Sequence, residues 1–180
     1  MSSPSIALAV GRPNSGKTTW LAAIVQRARS RGLKIDGLLS HGLWVNGIKA
    51  TYELEAVATG ERRPLARMNE PATGDSSLDE KNINPTAGSL FAASAPDGKG
   101  SMITCGRFQF SRFAFDWGNK ILRSSSGIIV IDEFGPLEAS GNGLWPGIDY
   151  LLRHHTGPLL IAVRPSLQAD LLQRIRTIKR

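Results

Sequence analysis

Gly11-Arg12-Pro13-Asn14-Ser15-Gly16-Lys17-Thr18 decides the fold, because it fits G-x-x-x-x-G-K-[ST] at every fixed position. Ahead of it, Ser5-Ile6-Ala7-Leu8-Ala9-Val10 is an apolar run that stops at Gly11 and reads as a buried parallel strand. Behind it, Trp20, Leu21, Ile24, Val25 and Ala28 recur at helical spacing from Lys17 to about Ser30. A strand, a glycine-bounded loop and a helix together form an anion cradle. Gly11 and Gly16 let the backbone curl without a Cβ clash, so that successive N–H groups converge on phosphate oxygens. The helix adds its positive end, and the Lys17 ammonium reaches toward β- and γ-phosphates. The Thr18 hydroxyl is placed to ligate Mg²⁺. Arg12, Pro13, Asn14 and Ser15 within the loop, and Thr19 just after it, complete the expected nucleotide-binding set.

Such a site needs a second half, and Ile128-Ile129-Val130-Ile131-Asp132 supplies a fully apolar strand ending in an acid. Asp132 is expected to hold the Mg²⁺. Glu133 follows it directly, where a carboxylate can orient and deprotonate an attacking water. The guanine-reading N-K-x-D pattern is absent, since Asn119-Lys120 is followed by Ile121-Leu122. Phosphoryl transfer gains from an arginine facing the developing charge, and Arg107 and Arg164 are the candidates within the chain. Arg164 follows the apolar run Leu159 to Val163, and strand carboxyl ends border the ligand crevice in open α/β sheets.

Outward from these motifs, a strand is expected over Asp36 to Ser40. A hairpin follows through Leu43-Trp44-Val45, the turn Asn46-Gly47, and Ile48 to Val57. Thr59-Gly60-Glu61 turns the chain into Pro64 to Met68. Gly106 to Phe110 reads as extended, and Ser111 as the cap of a helix whose Phe113, Trp117 and Ile121 are spaced four apart and point to core. Ile148, Leu151 and Leu152 mark a helix ending at His154-His155. Ser166 is expected to cap a last helix through Leu167, Leu171 and Ile175. Trp44 is expected to pack under the hairpin, and Cys105 to be inert. Strands alternating with helices imply an α/β fold, mainly a parallel sheet with helices on both faces, plus the hairpin.

The 180 residues suit a single domain, 1–180. The net charge of +7 favours a polyanionic ligand, and it is unevenly spread: +6 over 1–69, −3 over 70–104 and +4 over 105–180. Residues 70–104, rich in Gly, Pro and Ser, are expected to form a mobile or irregular insertion and a possible protein contact. One cysteine leaves no internal disulfide and fits a cytoplasmic setting. No apolar run reaches the ~18 residues of a membrane helix, and no base-reading nucleic-acid module is recognisable.

The phosphate loop with Thr19, together with Asp132-Glu133-Phe134-Gly135-Pro136-Leu137-Glu138, resembles the small P-loop nucleoside-triphosphatase family, which includes thermophilic members and the human cancer-related nucleoside-triphosphatase. Gly37-Leu38-Leu39-Ser40 and Gly106-Arg107-Phe108 agree more weakly. The resemblance implies a RecA-like P-loop fold and Mg²⁺-dependent hydrolysis of ATP or other nucleoside triphosphates to diphosphate and phosphate. It places Lys17 and Thr18 on phosphate and Mg²⁺, Asp132 on Mg²⁺, and Glu133 as base; Glu138 matches an acid of open role. Pro136 departs from the pattern, standing where a basic residue is common. The alternatives are a nucleotide or small-molecule kinase, which the absence of arginine from 71–105 disfavours, and a nucleotide-dependent switch or assembly factor.

Overall fold

The computed structural model describes residues 4–45, 48–69 and 102–178. In chain order the elements are β1 (Ile6–Val10), α1 (Lys17–Ser30), β2 (Ile35–Val45), β3 (Ile48–Ala56), β4 (Arg62–Met68), β5 (Met102–Cys105), β6 (Phe108–Ser111), α2 (Arg112–Ser124), β7 (Ile128–Phe134), α3 (Pro136–Ala139), α4 (Trp145–His154), β8 (Leu159–Val163) and α5 (Gln168–Ile178). The strands form one sheet in the order β1-β8-β7-β2-β3-β4-β6-β5.

The sheet has two halves. From β1 to β2 the neighbours run parallel, as alternating strands and helices require. From β2 to β5 every pair is antiparallel, so the hairpin read from the sequence extends into a four-strand flap sharing β2 with the parallel half. The strands on either side of Asn46-Gly47 pair from Val45 and Ile48 onward, while the turn itself lies outside the described residues. The proposed insertion also lies outside them, except that Met102 to Thr104, expected to be irregular, belong to β5. Gly106-Arg107, expected within an extended run, is instead the turn joining β5 to β6.

Alternation along the central strands packs helices on both faces. Ile129 and Ile131 join the cluster under α2, α4 and α5, whereas Val130 joins Leu21, Val25 and Ala28 of α1. Gly37 allows the tight fit of β2 on β7: its φ is +112°, and a Cβ there would fall 2.8 Å from the Val130 nitrogen.

Four local expectations are corrected. β1 is an edge strand of the described sheet, so Val10 is 44% exposed and not buried. Trp20 points outward from α1. The core stripe of α2 is offset from the one expected, with Phe115, Gly118 and Leu122 joining Trp117 inside and Phe113 exposed; Ser111 does cap the helix, accepting from Ala114 N at 3.3 Å. Ser166 caps nothing, because Pro165 starts a 3₁₀ turn over Pro165–Leu167 and α5 begins only at Gln168.

Candidate functional site

The carboxyl ends of β1, β7 and β8 meet at the phosphate loop, and β2 and β3 close the site from the flap side. Gly11 N donates to Val163 O at 3.1 Å, which ties the start of the loop to the end of β8. The curl passes through Asn14 at φ 62° and Gly16 at φ 86°, with Gly16 as the left-handed entry to α1. Lys17 folds back along the loop, donating to Gly11 O at 2.8 Å and Arg12 O at 2.9 Å. Its ammonium also lies 3.1 Å from Glu133 Oε1.

Asp132 and Glu133 occupy the break in the β7–β8 ladder between Ile131 and Phe134, joined by a cis peptide. Asp132 is 2% exposed and bonded through Thr18 and Ser40, with Ser40 N donating to Oδ2 at 3.2 Å. Burial pushes its carboxyl pKa up, against the opposing pull of the Thr18 and Ser40 hydrogen bonds. The Ser40 hydroxyl donates to the Asp132 backbone oxygen at 2.7 Å, fixing β2 to the acid. Glu133 is suspended between two cations: Oε1 faces Lys17, and Arg164 approaches Oε2 through Nε and Nη2, each at 3.3 Å. Oε1 is buried and accepts no aligned hydrogen bond, so its contact with Lys17 is an ion pair only.

Of the residues singled out in the sequence, Pro13, Asn14, Gly16, Lys17, Thr18, Thr19, Asp132, Glu133 and Arg164 line one pocket of about 230 Å³. Arg107 is elsewhere. It sits on the β5–β6 turn with its guanidinium 5.4 Å from the Phe108 ring centre, at the rim of an adjoining cavity of about 480 Å³. Tyr52, Phe108, Phe110 and Phe115 wall that cavity, and Glu133 and Arg164 border both spaces. Cys105 also lines the larger one. Glu138 is 6% exposed, with both oxygens spent on backbone, Oε2 on Gly135 N and Oε1 on Leu144 N; it braces the loop after β7 and does not face the phosphates.

Trp44 reverses its expectation. It is 59% exposed and flanks the phosphate loop from near the end of β2. Lys49 and Tyr52 on β3 and Ser40 on β2 belong to the same wall and were not anticipated as site residues. Their only sequence signal was the hairpin, whose reach over the loop depends on strand twist that no local pattern encodes.

The match to the NTPase family runs over residues 6–180. The chain belongs to that family. The chain is 26% identical over 128 residues to the nucleoside-triphosphatase THEP1 of Caldivirga maquilingensis, a match spanning 71% of the chain but 57% of that relative. It is 25% identical over 159 residues to THEP1 of Pyrococcus abyssi, covering 87% of the chain and 73% of the relative. Its fold matches the human cancer-related nucleoside triphosphatase with a TM-score of 0.64 at 20% identity, over 99% of this chain and 85% of that one. THEP1 of Aquifex aeolicus gives 0.58 at 15%, over 96% and 84%. The α/β P-loop fold and the family resemblance read from the two motifs are thereby borne out.

Thr18 and Asp132 meet at the phosphate loop and offer a divalent metal two hard oxygen donors. Among the described residues no cluster of three or more His, Cys, Asp or Glu could hold one by protein ligands alone. That donor set fits a cation that keeps water and phosphate in its shell, as Mg²⁺ does. Among the described residues no helix is long and apolar enough to cross a membrane.

Proposed function

We propose that this NTPase hydrolyses nucleoside triphosphates to nucleoside diphosphate and phosphate with Mg²⁺, in one domain over residues 1–180, in the cytoplasm. The observation that carries the reading is Glu133 Oε1, a buried carboxylate oxygen held beside Lys17 at the rim of the phosphate loop with no hydrogen bond of its own. An attacking water donating there would be aimed at the terminal phosphate, and Glu133 would take its proton. Lys17 and the loop amides hold the β- and γ-phosphates. Thr18 and Asp132 would hold Mg²⁺, which when bound neutralises charge on those oxygens. Arg164 orients Glu133 through its guanidinium, and Arg107 lines the adjoining cavity that Glu133 and Arg164 also border. The sequence carries no N-K-x-D or other base-reading motif, so selectivity among the four nucleotides is expected to be loose.

A second reading rests on the 480 Å³ cavity beyond Glu133, which has the size and aromatic walls of a small-molecule site. A hydroxyl acceptor seated there would make the protein a kinase. One experiment separates the two. Phosphate release from ATP, GTP, CTP and UTP with Mg²⁺ is measured for the wild type and Glu133→Gln. Hydrolysis predicts acceptor-independent release that falls roughly 10²–10⁴-fold in the variant while nucleotide binding persists. Release that requires an added acceptor would establish the kinase instead. Residues 70–104 remain the segment proposed for a protein contact.

A further inference from the structure

β3 carries a cation aimed at the phosphate loop. Between Leu43 and Trp44 the β2–β3 register shifts: Leu43 pairs with Thr51 but Trp44 with Lys49, so Ala50 is the extra residue of a bulge. Strict alternation would put Lys49 and Tyr52 on opposite faces. The bulge returns Lys49 to the face of Tyr52, Gly42 and Trp44. On that face the Lys49 ammonium lies 5.4 Å from the Trp44 ring centre and 5.1 Å from that of Tyr52. Its methylenes cross Gly42 where any side chain would collide, since a Cβ there would stand 2.6 Å from Cδ and 2.8 Å from Nζ. The ammonium ends 3.0 Å from Asn14 Oδ1, at the middle of the phosphate loop.

Bulge, glycine and two rings thus steer one charge to one place. Its partner there is a neutral amide oxygen, and among the described residues no carboxylate pairs with it. Arg164, by contrast, already has Glu133 opposite its guanidinium. An uncompensated ammonium beside converging loop amides adds to their positive field and matches an anion.

We propose that Lys49 contacts the terminal phosphate of bound nucleoside triphosphate and stabilises the charge that develops as the β–γ bond breaks, filling from within the chain the place of an arginine finger. This rests on the reading of the loop as a nucleoside-triphosphate site. The test compares wild type, Lys49→Met, Gly42→Ala and the double variant. Gly42→Ala keeps the lysine but displaces its flexible end, so it perturbs the position of the charge and not the fold. With Mg²⁺ present, calorimetry gives the affinity for AMP-PNP and for ADP, and phosphate release gives kcat.

The expected result is that Lys49→Met loses roughly tenfold or more in AMP-PNP affinity while ADP stays within about twofold. Its kcat is expected to fall roughly 10²-fold, the cost of removing one transition-state donor. Gly42→Ala should lie between, and the double variant should be no worse than Lys49→Met. Unchanged kcat and unchanged AMP-PNP/ADP preference in Lys49→Met would overturn the proposal. So would equal weakening of both ligands, which would make Lys49 merely a tie to Asn14. If no protein releases phosphate but Lys49→Met still loses the preference for AMP-PNP, the hydrolase reading fails and the Lys49 contact stands.

Discussion

Glu138→Gln isolates what the buried acid after β7 contributes. Glu138 lies in the first turn of α3, Oε2 accepting from Gly135 N at 3.0 Å and Oε1 from Leu144 N at 2.9 Å. These bonds close the ten-residue loop 135–144 that leads from the Asp132-Glu133 pair to α4. The amide keeps the shape but replaces one oxygen by an NH₂, which cannot accept, whereas the hydroxyl oxygen of the neutral acid still can, so one buried N–H is left facing a donor. An unsatisfied buried donor costs about 1–3 kcal/mol. Against this stands the cost of burying the carboxylate charge, which raises the Glu138 pKa above its ordinary value of 4.5. Because the folded pKa is the higher one, Glu138's favourable contribution is complete below pH 4.5 and is lost as pH rises through the folded value. Glutamine does not titrate, so the variant lacks this loss. Wild type should therefore exceed Glu138→Gln by about 1–3 kcal/mol near pH 4.5, and the gap should narrow toward pH 8. Urea unfolding across that range measures it, with Trp145, whose ring meets Phe134 edge-on at 5.9 Å, reporting from beside the loop. A gap that widens with pH, or one near zero throughout, would refute the balance of hydrogen bonds against burial argued here.

Two further perturbations bear on fold and site. Gly37→Ala puts a Cβ onto the Val130 backbone, which cannot swing away, so a loss above about 3 kcal/mol is expected. Gly60→Ala, with φ +75° but nothing within 4 Å, should cost only about 1–2 kcal/mol, and urea midpoints of the pair separate contact from backbone strain. Trp44→Phe should abolish most of the tryptophan fluorescence change on adding Mg²⁺-AMP-PNP, because Trp44 is the tryptophan lining the loop pocket; an undiminished signal would show that nucleotide does not alter its surroundings.

The parallel half was legible because each of its elements declares itself locally. Gly11 to Thr18 fixes a strand, a loop and a helix at once, and Ile128 to Asp132 can only be a strand buried on both faces that ends in an acid. The flap was legible as a hairpin but not as a wall. Alternation in Ile48 to Ala56 gives a strand, yet the bulge at Ala50 that decides which way Lys49 points depends on pairing with Leu43 and Trp44. Trp44 differs from expectation for a related reason: a tryptophan in a strand is usually covered, whereas this one stands 59% exposed at the loop pocket, a place set by the pairing of β2 with β3 and β7. The start of α5 was misjudged because Ser166 is a good cap in isolation, whereas Pro165 imposes a 3₁₀ turn first.

The pairing of Lys17 with Glu133 has a consequence for the order of events on the proposed reading. An ammonium has three donors, and two of Lys17's are held by the Gly11 and Arg12 carbonyls. The side turned to Glu133 makes only an ion pair without an aligned hydrogen bond, so it is the interaction most easily exchanged. A polyphosphate entering the loop offers that face a denser negative charge than one carboxylate does. Lys17 would then turn from Glu133 to phosphate, and Glu133 would keep Arg164 as its remaining cation while Oε1 becomes available to water. The base would thus be released by the same event that delivers the substrate. That coupling needs both cations. With Arg164 alone Glu133 would lack the Lys17 contact that nucleotide displaces, and with Lys17 alone nothing would hold the carboxylate in line once the lysine had moved.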